Sequence, residues 1–264
     1  MTAHLPQPEA LKLGLVVSDT PQARLAEAEL RATHSFVGRR EADAVVALGG
    51  DGFMLAVLHR VLNSSSPKPV FGMNRGTVGF LMNDYSADDL ATRVAQAKSF
   101  FLSPLTMEAT TIDGQVVVSP AINEVSLLRE TRQAAKIEIA IDGKVRLEEL
   151  ACDGVLVSTP GGSTAYNLSA GGPILPLDCD LLALTALSPF RPRRWKGALV
   201  NNRSVVEFRV LEAERRPVSA VADQVEVRNI AHVRIRSDLS RRLELLFDPD
   251  YALDDRIVME QFQS

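Results

Sequence analysis

At 264 residues the chain has room for one large domain or two modest ones, each with its own core. A composition of 46% hydrophobic and 23% charged residues belongs to a globular protein, and a net charge of -4 argues against a non-specific nucleic-acid binder. No apolar run approaches the ~18 residues that span a bilayer, the start MTAHLPQPEA lacks a signal-peptide pattern, and Cys152 and Cys179 suit neither a disulfide framework nor a metal site, so a cytoplasmic protein is expected.

The first hundred residues alternate strand and helix. Leu13 to Val17 reads as a buried strand, and Thr20-Pro21 supplies an N-cap and first-turn proline for a helix over residues 21–33. Ala44 to Leu48 is a second strand. Phe53, Met54, Val57, Leu58, Val61 and Leu62 then recur at helical spacing, so a helix begins near Gly52. Val70 to Met73 is a third strand, and Ser86, with Asp89 in the capping-box position, opens a helix running to about Lys98. This order predicts a Rossmann-like parallel sheet that presents ligand sites at the carboxyl ends of its strands.

After Ser103-Pro104 the period becomes alternating. Asp113-Gly114 and Asp142-Gly143 mark hairpin turns, and Ile137, Ile139 and Ile141 share one face. The expected fold is therefore an α/β N-terminal domain, residues 1–100, followed by an all-β C-terminal domain, residues 101–246, built as a β-sandwich.

Several polar, glycine-rich constellations stand out. In VVALGGDGFML, an apolar strand runs into Gly49, Gly50 and Gly52 with Asp51 among them. Such glycines let backbone amides approach a phosphate, and the next helix adds its N-terminal partial charge. Neither the P-loop nor the G-x-G-x-x-G fingerprint is complete, since Leu55 stands where the latter needs a glycine. A plain turn with Asp51 as helix cap also fits. Asn74-Arg75-Gly76-Thr77-Val78-Gly79-Phe80 follows the third strand at the same sheet edge, and Asn123-Glu124 either binds a sugar or amide or simply ends a strand.

The longest element is CDGVLVSTPGGSTAYNLSAGGPI, residues 152–174, rich in small hydroxyls, amides and glycine with one aromatic ring, a composition suited to a nucleotide. Gly161-Gly162-Ser163-Thr164-Ala165 approaches a nucleophile elbow but ends in alanine instead of glycine. The basic stretch Arg191 to Lys196 reads as a solvated surface, a subunit contact or an anion site.

Taken in order, GGDG, N-x-G-x-x-GF, the NE pair and the TP-x-GSTAYNLSAGGPI segment resemble the NAD kinase family of bacterial type, over nearly the whole chain. The resemblance implies transfer of the ATP γ-phosphoryl group to the 2′-hydroxyl of the adenosine ribose of NAD, giving NADP. It implies Asp51 as the catalytic carboxylate, and Gly49, Gly50 and Gly52 as the loop for ATP phosphates. For NAD it implies Asp51, Gly52, Phe80 near the adenine, Asn123, Glu124, Asp153 at the nicotinamide end, Thr164, Ala165, Tyr166, Asn167, Leu168, Ser169, Asp223 and Gln224.

The same resemblance implies Mg²⁺ or another divalent metal bound mainly through ATP, with no dedicated protein metal site, and a homodimer or homotetramer. It also implies that the C-terminal segment, residues 247–264, packs back on the first domain. Gly161 and Ala151 depart from residues common in the family, and SPFRPRRWKG replaces a segment with a Pro-His pair. A GGDG-type kinase for a lipid or sugar hydroxyl, or a non-catalytic dinucleotide-binding regulator, are the alternatives.

Overall fold

The computed structural model describes residues 5–76 and 79–249. These residues divide into two compact units, 5–76 and 79–102 with 242–249, and 103–241. The first opens with β1 (Leu13–Val17), α1 (Pro21–Thr33), β2 (Ala44–Gly49), α2 (Asp51–Leu62), β3 (Val70–Asn74), α3 (Leu90–Ala95) and β4 (Lys98–Leu102). Helix α1 starts where the sequence puts it because the Thr20 side chain accepts from the Ala23 N–H at 3.3 Å, with Pro21 next. It buries Ala23, Ala26 and Leu30 against the sheet.

The helix expected from Ser86 to about Lys98 is shorter. The Ser86 hydroxyl accepts from the Asp88 N–H at 3.1 Å within a turn, and Asp89 takes a left-handed backbone with φ 48°. That conformation is incompatible with a first helical turn. Helix α3 therefore begins only at Leu90, and Lys98 already opens a strand.

The second unit holds twelve strands: β5 (Leu105–Thr111), β6 (Val116–Ala121), β7 (Glu124–Arg129), β8 (Ala135–Ile141), β9 (Lys144–Cys152) and β10 (Gly154–Ser158), then the one-turn helix α4 (Tyr166–Ser169), then β11 (Leu181–Leu187), β12 (Gly197–Asn201), β13 (Val206–Val210), β14 (Val218–Ala222), β15 (Val225–Val227) and β16 (Ile230–Ser237). They form two six-stranded sheets, in the orders β12-β11-β10-β7-β14-β15 and β6-β5-β16-β13-β8-β9. All of their pairings are antiparallel. One core lies between them, with Val125, Leu127, Val155 and Val157 of the first sheet facing Met107, Ile137, Ile139, Phe208 and Val233 of the second. Asp142 and Gly143, at φ 52° and 74°, both take the positive values that a two-residue type I′ turn demands.

The chain then rejoins the first unit as β17 (Leu243–Phe247). Its sheet runs β1-β2-β3-β17-β4. The first four strands are parallel, but β4 runs antiparallel to β17, so the sheet is mixed rather than wholly parallel. Buried Asn83 secures the insertion: its amide donates to the carbonyls of Gly72 and Leu246 at 2.9 and 3.0 Å, while its oxygen accepts from the Asp248 N–H at 2.8 Å. Of the C-terminal segment expected to pack back, residues 250–264 lie outside the described residues.

Candidate active site

In the first unit, the two glycine-bearing loops leave neighbouring strand ends. Gly49 of β2 is in register with Asn74 of β3, and the Arg75 N–H donates to the Gly49 carbonyl at 2.6 Å. The loops then touch through glycine: a Cβ on Gly76 would lie 3.2 Å from the Gly50 Cα. The Asn74 side-chain oxygen accepts from the Gly76 N–H at 2.8 Å and shapes the second loop, of which Thr77 and Val78 lie outside the described residues.

Gly50 caps α2 with extended backbone, so Asp51 is the first helical residue, where the helix dipole favours an anion. Its carboxylate accepts from the N–H groups of Phe80 at 2.9 Å and Leu81 at 3.4 Å. The second loop thus fixes the orientation of the carboxylate that the first loop exposes. Phe80 itself is buried, and it meets Asp51 through its backbone N–H. The Arg75 guanidinium lies 4.5 Å from the Tyr85 ring centroid.

In the second unit, Asn123 immediately precedes β7 and Glu124 opens it, with β10 and β14 on either side. Asp223, in the turn after β14 at φ 50°, accepts from the N–H groups of Ile122, Asn123 and Glu124 at 2.6, 3.0 and 3.2 Å. It therefore shapes the backbone of the Asn-Glu pair, while Gln224 beside it is exposed. Burial, then the charge of Asp223, push the Glu124 carboxyl up to about 7.

The long loop is built from the inside. Thr159 donates to the Ile122 carbonyl at 2.7 Å and accepts from the Gly162 N–H at 3.0 Å. Gly162 presses so close to the chain that a Cβ would lie 2.2 Å from the Asn123 carbonyl oxygen. Ser163 donates to the Pro160 carbonyl and accepts from the Leu175 N–H, at 2.7 and 2.9 Å, and is wholly buried, so it is no nucleophile. Asn167 is also wholly buried: it donates to the Ser163 and Pro173 carbonyls and accepts from Thr185. It braces the loop instead of lining a surface. Thr164, Ala165 and Leu168 are half-buried, and Tyr166 and Ser169 are exposed.

Tyr166 and Ser169 also line a cleft of about 620 Å³ with Asp153, Arg129, Arg132 and Ser188. Asp153 pairs with Arg129 at 2.6 Å. The Tyr166 phenol is pushed up, by burial first and then by the nearby carboxylates of Glu124 and Asp153, which ties the cleft electrostatically to the Asn-Glu pair. Arg129, Arg132 and Ser188 escape a reading of the sequence. Arg129 meets Asp153 only because β7 and β10 are paired, a relation with no local signature.

Known proteins resemble this chain across both units. A family model of the ATP-NAD kinase N-terminal domain matches residues 12–97, and one of the ATP-NAD kinase C-terminal domain matches residues 122–241. The chain belongs to the NAD kinase family. Among its relatives, the NAD kinase of Rhizorhabdus wittichii is 60% identical over 251 residues, covering 95% of this chain and 98% of that protein. The NAD kinase of Zymomonas mobilis is 55% identical, covering 96% and 98%.

Two solved structures share the NAD kinase fold. Yeast NADH kinase complexed with NADH superposes with a TM-score of 0.79 at 21% identity, over 99% of this chain and 88% of that one. An NAD kinase from Archaeoglobus fulgidus in complex with ATP gives 0.73 at 22%, over 95% and 98%. Within this NAD kinase chain, no helix among the described residues is long and apolar enough to cross a membrane.

Proposed function

We propose that this phosphotransferase moves the γ-phosphoryl group of ATP to the 2′-hydroxyl of the adenosine ribose of NAD, producing NADP. The observation that carries the reading is the Asp51 carboxylate, held in one orientation by the Phe80 and Leu81 amides at the glycine-framed start of α2. A ribose hydroxyl is a weak nucleophile, so a carboxylate within hydrogen-bond reach that orients it and accepts its proton accelerates attack. Gly49, Gly50 and Gly52 add no side chain of their own around Asp51, so that backbone amides and the N-terminus of α2 receive the ATP phosphates.

Asn123, Glu124, Asp153, Thr164, Ala165, Tyr166, Leu168, Ser169 and Gln224 receive the dinucleotide, with Asp223 and Asn167 holding that surface in shape. Among the described residues no three His, Cys, Asp or Glu side chains converge. A divalent cation enters with ATP in this reading, and would neutralise charge on the transferring group.

The enzyme acts in the cytoplasm as a homodimer or homotetramer. The free thiols of Cys152 and Cys179 support a reducing compartment. Exposed Val116 and Val118 on edge strand β6 and Leu199 on edge strand β12 support association. The test of the activity is direct: purified protein with Mg-ATP and NAD yields a phosphorus signal of a ribose 2′-monoester. A product carrying phosphate elsewhere, or none, overturns the assignment.

A further inference from the structure

Glu124 occupies a place where an ionised carboxylate is poorly served. Its Oε2 atom is buried and makes no hydrogen bond among the described residues. The groups facing it are Ser158, in register on β10, Asp223 from the turn after β14, and Tyr166 from α4. Ser158 spends its hydroxyl on the Thr159 carbonyl at 3.0 Å. Asp223 is anchored by three backbone N–H donors, which hold its carboxylate beside Glu124. A second anion would leave a buried charged oxygen without a donor next to that charge, an expensive arrangement. A neutral acid removes the repulsion, leaves the buried oxygen as an uncharged carbonyl, and puts an O–H donor on the other carboxyl oxygen, which is not enclosed in this way.

The dinucleotide sharpens the choice, because its diphosphate adds further negative charge while its phosphoryl and ribose oxygens offer acceptors. We propose that Glu124 meets NAD as a neutral carboxylic acid, donating a hydrogen bond to a ribose or diphosphate oxygen, so that binding takes up a proton from solvent whenever the free enzyme is ionised there. The inference rests on the proposed function, since it names the protonation state in which that same surface receives NAD.

In the free enzyme Glu124 is half-protonated near neutrality, since its carboxyl lies at about 7. Below that value the acid is already neutral and binding takes up no proton. Above it each NAD draws in one proton, and affinity falls by up to about tenfold per pH unit.

Titration calorimetry with NAD, between about pH 6 and about pH 8.5 in buffers of different ionisation enthalpy, reads both quantities. Wild-type protein is expected to lose at least about tenfold in affinity across the upper half of that range, with an uptake approaching one proton per NAD. Glu124→Gln, whose amide keeps a donor without a charge, is expected to lose that slope and to bind more tightly than wild type at the alkaline end. Flat wild-type affinity with no buffer-dependent heat overturns the inference, as does a full slope in Glu124→Gln. The wild-type arm stands whether or not the variant folds. NADP formation with proton-neutral NAD binding refutes this inference alone, whereas folded wild-type protein that binds no NAD at any pH refutes the proposed function.

Discussion

Gly162 shows how a single missing Cβ shapes the 158–169 loop. An added methyl would meet the Asn123 carbonyl oxygen at 2.2 Å and the Asn123 Cα at 2.5 Å, both backbone atoms that cannot swing aside. Gly162→Ala is therefore expected to cost roughly 2–4 kcal/mol in urea unfolding, and to weaken NAD binding by displacing the Asn123-Glu124 backbone.

Glu124 makes the complementary electrostatic argument. Its carboxyl sits at about 7 in the folded chain against an ordinary 4.5, so between those values the native state holds more protons than the unfolded one. Stability from this residue is full below the ordinary value and is lost as pH rises through about 7. Glu124→Gln removes the loss, and denaturation at about pH 8 should find it more stable than wild type by roughly 1–3 kcal/mol, with little difference at about pH 4.

At the scale of elements, what local chemistry encodes was readable and what distant pairing encodes was not. Thr20-Pro21 places the start of α1 because cap and helix are adjacent in the chain. The hairpin at Asp142-Gly143 is readable for the same reason, since its turn geometry demands those two residues. Strands β4 and β17, KSFFL and LELLF, carry no clear alternation, and their partnership spans the whole second unit, as in Ser99 bonding Glu244. The left-handed Asp89 that delays α3 is likewise invisible in a sequence that otherwise suits a capping box.

The site divides along the same line. Three glycines around Asp51 announce themselves, whereas the Arg129–Asp153 pair and the buried oxygen of Glu124 exist only once β7 has its neighbours. Because β17 lies between β3 and β4 in the sheet, a chain ending at Arg241 loses the strand that joins them. Circular dichroism and protease sensitivity should show the first unit unfolded in that truncation, with turnover abolished. Retention of a folded first unit would contradict the topology.

For the molecule as a whole, a net charge of -4 coexists with function on anionic substrates because attraction is local. In the proposed reading the α2 N-terminus and glycine amides receive the phosphates in one unit, while Arg129 and Arg132 border the cleft of the other. Each unit has its own core, so a substitution at the start of α2 can change chemistry without disturbing the surface built on β7 and the 158–169 loop. Asp51→Asn separates the two contributions most directly. Steady-state formation of NADP from Mg-ATP and NAD should fall by about 10²–10⁴-fold in that variant, while NAD affinity measured by calorimetry stays within about threefold of wild type. Turnover equal to wild type would contradict the account.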